Sequence, residues 1–282
     1  MTVVIATRDR VRELCRTLAR LEGLEPRPPV VVVDNGSSDG TAAAVRERFP
    51  GVRVLRRERN LGCAARNAGA ARARTPYVAF CDDDSWWEPG SLEAAADALD
   101  AHPGWGLVTA AVRVGPQGRP DPVTEAQLRA PLPGGGAEPR VMGFLACAAV
   151  VRRSAFEEAG GFEPLLFFGG EEELLALDLA AAGWELRLLP GAVVRHHPSP
   201  HRPPGLRRAV LQERNALLTV WLRRRPAVVR DRTLRVAARC PADRVRRRAL
   251  AAALYRLPAV LARRRRLPAR VEEELEAAQR AA

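Results

Sequence analysis

The segment Tyr77-Val78-Ala79-Phe80-Cys81-Asp82-Asp83-Asp84 places three consecutive carboxylates directly after a short apolar run. The β-branched and aromatic side chains of this run are typical of a buried strand. Packing like charges at the end of a buried element raises the free energy of the fold unless a cation neutralises them. The segment therefore predicts a strand that leads into a site for a hard cation, Mg²⁺ or Mn²⁺, with a solvated acidic turn as the alternative. Because such cations complete their shells with substrate phosphates, the cluster favours a nucleoside diphosphate.

The composition of the 282-residue chain is that of a globular protein, since 47% of its residues are hydrophobic. All 45 basic residues are arginine, against 33 acidic residues, which gives a net charge of +12. The positive excess is confined to Arg202–Ala282, with 22 arginines and 7 acidic residues. Five scattered cysteines without metal-site spacing suggest a reduced cytosolic compartment. No segment approaches the roughly 18 apolar residues of a membrane span, and we expect no secretion signal.

Apolar runs alternate with helical patterns in the first part of the chain. Runs at 3–6, 30–33, 52–55 and 77–81 predict strands of a parallel α/β sheet. Between the first two runs, apolar residues at three-to-four spacing predict a helix, for which Asp9 is the expected N-cap.

Proline-rich segments interrupt this pattern. The segment Gly115–Pro139 predicts a mobile loop that could order over a bound ligand. A second group of prolines marks a domain boundary: Pro198, Pro200, Pro203 and Pro204. We therefore expect an α/β domain over residues 1–200 and a basic α-helical region over 201–282.

Polar motifs follow four of the predicted strands, where ligands bind in an open parallel sheet. They are Thr7-Arg8-Asp9, Asp34-Asn35-Gly36-Ser37, Asn60-Leu61-Gly62 and the aspartate triplet. Asp34 can accept hydrogen bonds from a base or a ribose, and glycine lets the backbone approach a ligand closely. Each motif taken alone is equally typical of a turn or a helix cap.

The order of these motifs resembles that of the family 2 glycosyltransferases. The match runs from about Val3 to His197 and also includes Ala65-Arg66-Asn67-Ala68-Gly69, between the third and fourth strands. The resemblance implies a GT-A catalytic domain, in which a Rossmann-like, mostly parallel sheet is flanked by helices, followed here by an Arg-rich helical C-terminal extension. It also implies a nucleotide-sugar donor, a divalent metal, and single-displacement transfer with inversion at the anomeric carbon.

Carried over by position, the resemblance assigns the donor site. Asp34 would hold the base, and Asp83 would face the ribose or sugar of the donor. Arg8 stands where the family often has an aromatic residue, and a guanidinium can also stack on a base. The other expected donor contacts are Thr7, Asn60, Arg66 and Asp82.

The resemblance also assigns the metal site. Asp82 and Asp84 would be the two ends of a D-x-D motif, with Asp84 as the direct ligand. His196 follows a strand-like run at 192–195 and would complete the metal shell or contact the diphosphate. A structural or capping histidine is the alternative.

A second carboxylate cluster, Glu171-Glu172-Glu173, follows Phe167-Phe168-Gly169-Gly170. A hydroxyl acceptor is a poor nucleophile near neutral pH, so an inverting transferase needs a carboxylate within hydrogen-bond reach of it. The cluster resembles an acidic pair of the family below the acceptor site, which makes Glu172 the expected base and Glu171 the alternative. Complementing a helix dipole is the other interpretation. Asp178 stands where relatives often carry arginine, so an acceptor-side or phosphate contact is expected to be missing.

The basic C-terminal region admits three interpretations. Its arginines lie beside apolar residues and could bind anionic lipid headgroups, where a lipid-linked acceptor would meet the enzyme. Nucleic acid is a second candidate, which we do not expect, because no DNA-binding or RNA-binding signature accompanies the arginines. Solvated helix faces are the third.

Together these features predict a metal-dependent, inverting glycosyltransferase of the hexosyltransferase type. It would move a sugar from a nucleoside diphosphate to a hydroxyl acceptor, lipid-linked or part of a cell-envelope glycan, in the cytoplasm or at the inner face of the cell membrane. One alternative is a sugar-nucleotide nucleotidyltransferase, although Thr7-Arg8-Asp9-Arg10 lacks the glycines that hold a triphosphate. The other is a non-catalytic protein that binds nucleotide sugars or polyanions.

Overall fold

The computed structural model describes residues 1–199 and 205–281. Its nine strands form one sheet: β1 (Thr2–Thr7), β2 (Val30–Asp34), β3 (Arg53–Arg56), β4 (Tyr77–Asp82), β5 (Ser85–Trp87), β6 (Trp105–Val114), β7 (Arg119–Pro120), β8 (Ala149–Arg152) and β9 (Glu185–His196). Seven helices accompany the strands: α1 (Val11–Glu22), α2 (Thr41–Arg48), α3 (Ala65–Ala70), α4 (Ser91–Ala101), α5 (Pro122–Arg129), α6 (Arg153–Ala159) and α7 (Glu171–Ala181). Five more follow in the C-terminal region: α8 (Gly205–Arg223), α9 (Pro226–Arg239), α10 (Arg244–Leu254), α11 (Leu257–Arg263) and α12 (Ala269–Ala281).

The sheet is parallel where the sequence predicts it. The strand order is β3-β2-β1-β4-β8-β6-β9-β5, with β7 paired to β6. The strands β3, β2, β1 and β4 are parallel, as are β6 and β9, whereas β8 is antiparallel to both of its neighbours. The carboxyl ends of β1, β2 and β4 therefore meet at one edge.

Helices cover both faces of the sheet, which explains the uninterrupted apolar strands. Successive side chains of β1 point to opposite faces: Val3 and Ile5 pack in the cluster that contains α1, and Val4 packs in the cluster that contains α6 and α7. The mixed α/β architecture, with a mostly parallel sheet between helices, confirms the predicted fold class.

The C-terminal helices pack against α7 through a third apolar cluster, in which Leu166 and Leu174 meet Leu218, Trp221 and Leu222 of α8. The predicted helical extension is thus attached to the α/β part of the chain. Of the prolines that mark the expected boundary, residues 200, 203 and 204 lie outside the described residues. No described helix is both long enough and apolar enough to cross a bilayer.

Three local predictions are wrong. The segment Gly115–Pro139, predicted to be a loop, contains β7 and α5, and the Asp121 side chain caps α5. Asp9 does not cap α1, because the helix begins at Val11 and the Asp9 carboxylate accepts hydrogen bonds from Ser38 instead. The strand-like run at 192–195 is not a separate strand, because it is the end of a longer strand, β9.

Candidate active site

The polar motifs lie along the edge formed by the carboxyl ends of β1, β2 and β4. Thr7 is the register partner of Asp34, and Ala6 is that of Asp82. The residues that follow these strands are therefore neighbours, as is typical of ligand sites in parallel sheets.

Asp34, the expected base-binding residue, ends β2 and is 1% exposed. Its Oδ1 accepts a hydrogen bond from the Ser37 N–H at 2.9 Å. Its Oδ2 is buried and has no hydrogen-bond partner among the described residues, although Arg56 Nε lies 3.9 Å away. Because an unsatisfied buried acceptor is costly, this oxygen is suited to an N–H group of a ligand.

Three other predicted donor residues differ in their surroundings. Asn60 Oδ1 accepts a hydrogen bond from Asn35 Nδ2 at 2.8 Å, which ties the turn after β2 to the turn after β3. Thr7 Oγ1 donates to Asp83 Oδ2 at 2.8 Å. Arg8 is exposed and lines a cavity. The hydrogen bonds of Thr7 and Asn60 thus hold the turns at this edge in place, whereas the exposed side chain of Arg8 can contact a ligand.

The cavity has a volume of about 1210 Å³. Arg10 and Ser199 line it, and both contact Asp84, so the cavity borders the aspartates. Arg8 and Arg16 also line it, as do the carboxylates of Asp9, Glu13 and Asp39. The cavity is large enough for a nucleoside diphosphate, and arginine side chains can bind its phosphates.

Asp83 is buried between two donors. Thr7 donates to its Oδ2, and Arg10 Nη1 donates to its Oδ1 at 3.0 Å. Burial raises the pKa of Asp83 to about 6, although the charge of Arg10 opposes this shift. Both carboxylate oxygens of Asp83 therefore accept hydrogen bonds from side chains of the same sheet edge.

Asp84 has a donor at each of its oxygens. Its Oδ2 accepts a hydrogen bond from the Ser199 N–H at 3.0 Å, and its Oδ1 lies 3.4 Å from His196 Nε2. Burial alone would raise the pKa of Asp84, but the hydrogen bonds from His196 and Ser199 and the charge of Arg10 outweigh it and hold the pKa below its usual value. Asp84 is therefore ionised at neutral pH.

Asp84 and His196 have the chemistry of metal ligands, since a carboxylate oxygen and an imidazole nitrogen both suit Mn²⁺. Asp82, the third predicted ligand, accepts a hydrogen bond from Arg66. Within residues 1–199 and 205–281 no cluster of three or more potential ligands occurs. Two protein ligands are enough for a cation that keeps water and phosphate in its shell. The donor atoms of Asp84 and His196 are therefore of a type that suits such a cation, and the roles of Asp82, Asp84 and His196 as ligands stay predictions.

Arg66 joins the aspartates to the second carboxylate cluster. It is buried on α3, with Nη2 bonded to Asp82 and Nη1 4.0 Å from Glu171 Oε1. Burial would lower the pKa of Arg66, but Asp82 and Glu171 outweigh it and raise the pKa. One guanidinium therefore brings together two acidic groups that are far apart in the sequence.

Glu171 and Glu172 begin α7 after Gly170, whose φ of 85° turns the chain into the helix. Glu171 is buried, and its Oε2 has no hydrogen-bond partner among the described residues. Burial raises the pKa of Glu171; burial, together with the charge of Glu171, raises the pKa of Glu172 to about 8. The raised pKa makes each carboxylate a stronger base than an ordinary glutamate.

The segment 162–170, which precedes these glutamates, is held from two sides. Asn67 of α3 bonds through its side chain to both the N–H and the carbonyl of Phe162. From the other side, Asn215 of α8 donates from Nδ2 to the carbonyl oxygens of Leu166, Phe168 and Gly169. The C-terminal region thus helps to position the start of α7.

Sequence reasoning did not assign two residues of this site, Arg10 and Asn215. Arg10 could have been found, because it is a cation in a polar turn of the same sheet edge as three acids. Asn215 lies in a helical pattern without a motif, and no local signal marks it. Asp178 forms a buried ion pair with Arg223 of α8 and so ties α7 to the C-terminal region.

Comparison with known proteins places the chain among sugar-transferring enzymes. Residues 2–160 match the family described as Glycosyl transferase family 2. The N-acetylglucosaminyl-diphospho-decaprenol L-rhamnosyltransferase of Mycobacterium tuberculosis is 32% identical over 237 residues, which cover 70% of this chain and 76% of that protein.

Solved structures share the fold. The mannosyltransferase PcManGT from Pyrobaculum calidifontis, in complex with GDP-Man and Mn²⁺, has a TM-score of 0.60 at 21% identity, over 100% of this chain and 75% of that one. GalNAc-T7 with UDP, GalNAc and Mn²⁺ has a TM-score of 0.63 at 18% identity, over 78% of this chain and 47% of that one, so our chain spans less than half of that structure. The protein is therefore a glycosyltransferase: it has a GT-A type fold and belongs to glycosyl transferase family 2.

Proposed function

We propose that this enzyme transfers a sugar, with inversion, from a nucleoside-diphosphate sugar to a hydroxyl group of a lipid-linked acceptor, with Mg²⁺ or Mn²⁺ as cofactor. One observation supports this function most directly: Arg66 contacts both Asp82 and Glu171, which puts an expected donor carboxylate beside the glutamate cluster that contains the expected base, Glu172. Donor and acceptor would therefore meet over α3.

On the donor side, Asp84 and His196 would hold the cation, and Asp82 lies nearby at the mouth of the site. The cation, when bound, would neutralise the charge that develops on the departing diphosphate. Asp34 would accept a hydrogen bond from the base through its unpartnered Oδ2. Arg8 and Arg10 would face the diphosphate from the wall of the cavity.

On the acceptor side, Glu172 would remove the proton from the attacking hydroxyl group. Its raised pKa gives the carboxylate a higher affinity for that proton than an ordinary glutamate has. Glu171 is the alternative base, because its buried Oε2 lacks a hydrogen-bond partner among the described residues. Direct attack opposite the leaving diphosphate would invert the anomeric carbon.

A lipid-linked acceptor is supported by the rhamnosyltransferase relative, whose name specifies a decaprenol-linked diphosphate sugar as acceptor. The alignment with this relative covers 70% of the present chain. Which sugar the present enzyme transfers is a separate question that the donor panel below addresses.

The test is an assay of transfer from a panel of UDP, GDP and dTDP sugars to a polyprenyl-diphosphate-linked sugar, with Mn²⁺ and after treatment with EDTA. We expect one donor to release its nucleoside diphosphate only with Mn²⁺ and to give a product of inverted anomeric configuration by NMR. Release of pyrophosphate from a nucleoside triphosphate and a sugar 1-phosphate, supplied in a parallel assay, would instead indicate a nucleotidyltransferase. Tight metal-independent binding without turnover would indicate a binding protein.

A further inference from the structure

The helices α10 and α11 expose apolar side chains on a single face. The exposed positions of α10 recur at three-to-four spacing, from Arg244 through Ala251 to Tyr255, and exposed positions follow at the same spacing in α11, at Pro258 and Leu261. Four large apolar residues lie on it: Leu254 is 50% exposed, Tyr255 86%, Leu257 37% and Leu261 64%. We call these four residues, with Arg244, Arg247 and Arg248, the α10–α11 face.

The opposite faces of α10 and α11 pack against the rest of the chain. Ala253 and Val260 are buried in the apolar cluster shared with α8. The α10–α11 face is therefore turned away from the core, and its exposed leucines are not needed for packing within the chain. Large exposed apolar side chains grouped on neighbouring helices are typical of an interaction site.

The charge around the face selects the partner. Nine arginines and no acidic residue lie between Arg244 and Arg266. Among the described residues, no carboxylate lies within ion-pair distance of Arg244, Arg247 or Arg248. An apolar strip beside a row of such arginines matches a surface that offers anionic headgroups and hydrocarbon together.

The face is also connected to the acceptor side of the active site. Arg263, which ends α11, has its Nε 3.9 Å from Glu163 Oε1. Glu163 belongs to the segment 162–170 that Asn67 and Asn215 hold in front of α7. A surface bound at the α10–α11 face would thus lie close to the segment that precedes the expected base.

We propose that the α10–α11 face binds the surface of an anionic lipid bilayer, with Leu254, Tyr255 and Leu261 inserted between headgroups. This extends the proposed function, since a lipid-linked acceptor would be presented at the same surface. Nucleic acid would use the arginines but would leave the leucines exposed to water, so the apolar residues favour lipid.

The experiment is sedimentation of the full chain with vesicles of phosphatidylglycerol and phosphatidylcholine in equal parts, and with vesicles of phosphatidylcholine alone. Three proteins are compared: the unchanged chain, a Leu254→Ser/Leu261→Ser variant, and a control variant, Val123→Ser/Leu128→Ser. The control changes two comparably exposed apolar residues of α5, which lies in the α/β part of the chain. Circular dichroism melting checks that all three proteins are folded.

We expect the unchanged chain and the control to bind the anionic vesicles and not the neutral ones, with binding weakened by salt. The Leu254→Ser/Leu261→Ser variant should bind about tenfold more weakly or worse. Equal binding by the two variants would overturn the proposal, and so would failure of the unchanged chain to bind anionic vesicles while it binds a single-stranded oligonucleotide. Because no donor or acceptor is present, failure here leaves the transfer assay as an independent test of the proposed function.

Discussion

Arg66 donates a hydrogen bond to Asp82, and this bond sets the acidic end of β4 beside the first turn of α7. Arg66 is buried, whereas Asp82 is partly exposed at the mouth of the site. The same guanidinium lies 4.0 Å from Glu171. Arg66 therefore lies between the acidic end of β4 and the start of α7 and contacts both.

Replacing Arg66 by alanine should damage both stability and transfer. The change leaves buried Glu171 without its neighbouring positive charge, which typically costs about 3 kcal/mol of unfolding free energy. Denaturant unfolding measures this loss, and Arg72→Ala, a change of an exposed arginine just after α3, is the control and should cost little. If Arg66→Ala unfolded at the same denaturant concentration as Arg72→Ala, the contacts of Arg66 with Asp82 and Glu171 would not contribute to stability.

Replacing Glu172 by glutamine should abolish transfer and spare donor affinity. Loss of a general base costs about 100-fold or more in kcat. Because the pKa of Glu172 is raised, kcat/KM of the unchanged enzyme should increase with pH through a range above that of an ordinary glutamate. The matched variant Glu171→Gln tests the alternative: if that variant loses transfer and Glu172→Gln keeps it, Glu171 is the base.

The same substitution should change how stability depends on pH. With its pKa raised, folded Glu172 holds a proton at pH values where the unfolded chain has already lost it. The free energy of unfolding therefore falls as pH increases from the ordinary glutamate pKa to the raised value. Denaturant unfolding at a series of pH values should show a smaller fall for Glu172→Gln than for the unchanged protein. Parallel curves would contradict the raised pKa.

The parallel strands β1, β2 and β4 could be predicted from sequence because each is largely a short apolar run. Val30–Val33 has no alternation, and the strand is buried on both faces. The order and direction of β5, β8 and β9 could not be predicted, since their pairing depends on contacts between distant segments. Asp9 does not cap α1 because its carboxylate accepts a hydrogen bond from Ser38, in the turn after β2. That is a tertiary contact, which the local sequence does not show.

The acidic residues of the site could be predicted, but their partners could not. Asp84 and Glu172 stand in runs of three consecutive acidic residues, which the sequence shows directly. Gly62 is a glycine because a side chain would collide with the carbonyl oxygen of Phe167, 1.9 Å from a Cβ position. Asn215 accepts hydrogen bonds from the side chain of its neighbour Arg214 and donates to backbone carbonyl oxygens of a distant segment. The residue types of that distant segment do not reveal its backbone acceptors.

Replacing Asn215 by alanine should weaken the hold on the acceptor-side segment. Leaving buried carbonyl oxygens without their hydrogen-bond donor should lower the free energy of unfolding by about 2 kcal/mol. We expect transfer to fall through kcat or the KM for acceptor, with the Kd for donor unchanged, measured by steady-state kinetics and calorimetry. Arg207→Ala, on the exposed side of the same helix, is the control. An equal loss of donor affinity would argue against a role confined to the acceptor side.

Replacing Asp34 by asparagine should lower the affinity for the nucleoside diphosphate. The change offers an N–H₂ group where an acceptor is expected, and lost hydrogen bonds to charged groups cost about 2 kcal/mol, or roughly 30-fold in Kd. Isothermal titration with the preferred nucleoside diphosphate measures the effect. Asp97→Asn, an exposed change on α4, should bind normally. Unchanged affinity of Asp34→Asn would remove Asp34 from base recognition.

The most direct test of metal-dependent transfer is the release of nucleoside diphosphate as a function of Mn²⁺ concentration, measured for the unchanged enzyme and for Asp84→Asn. The account predicts that the unchanged enzyme is inactive after EDTA treatment and recovers with Mn²⁺, and that Asp84→Asn needs far more Mn²⁺ or does not recover. Full activity of the EDTA-treated enzyme, or the same half-saturating Mn²⁺ concentration for both proteins, would contradict it.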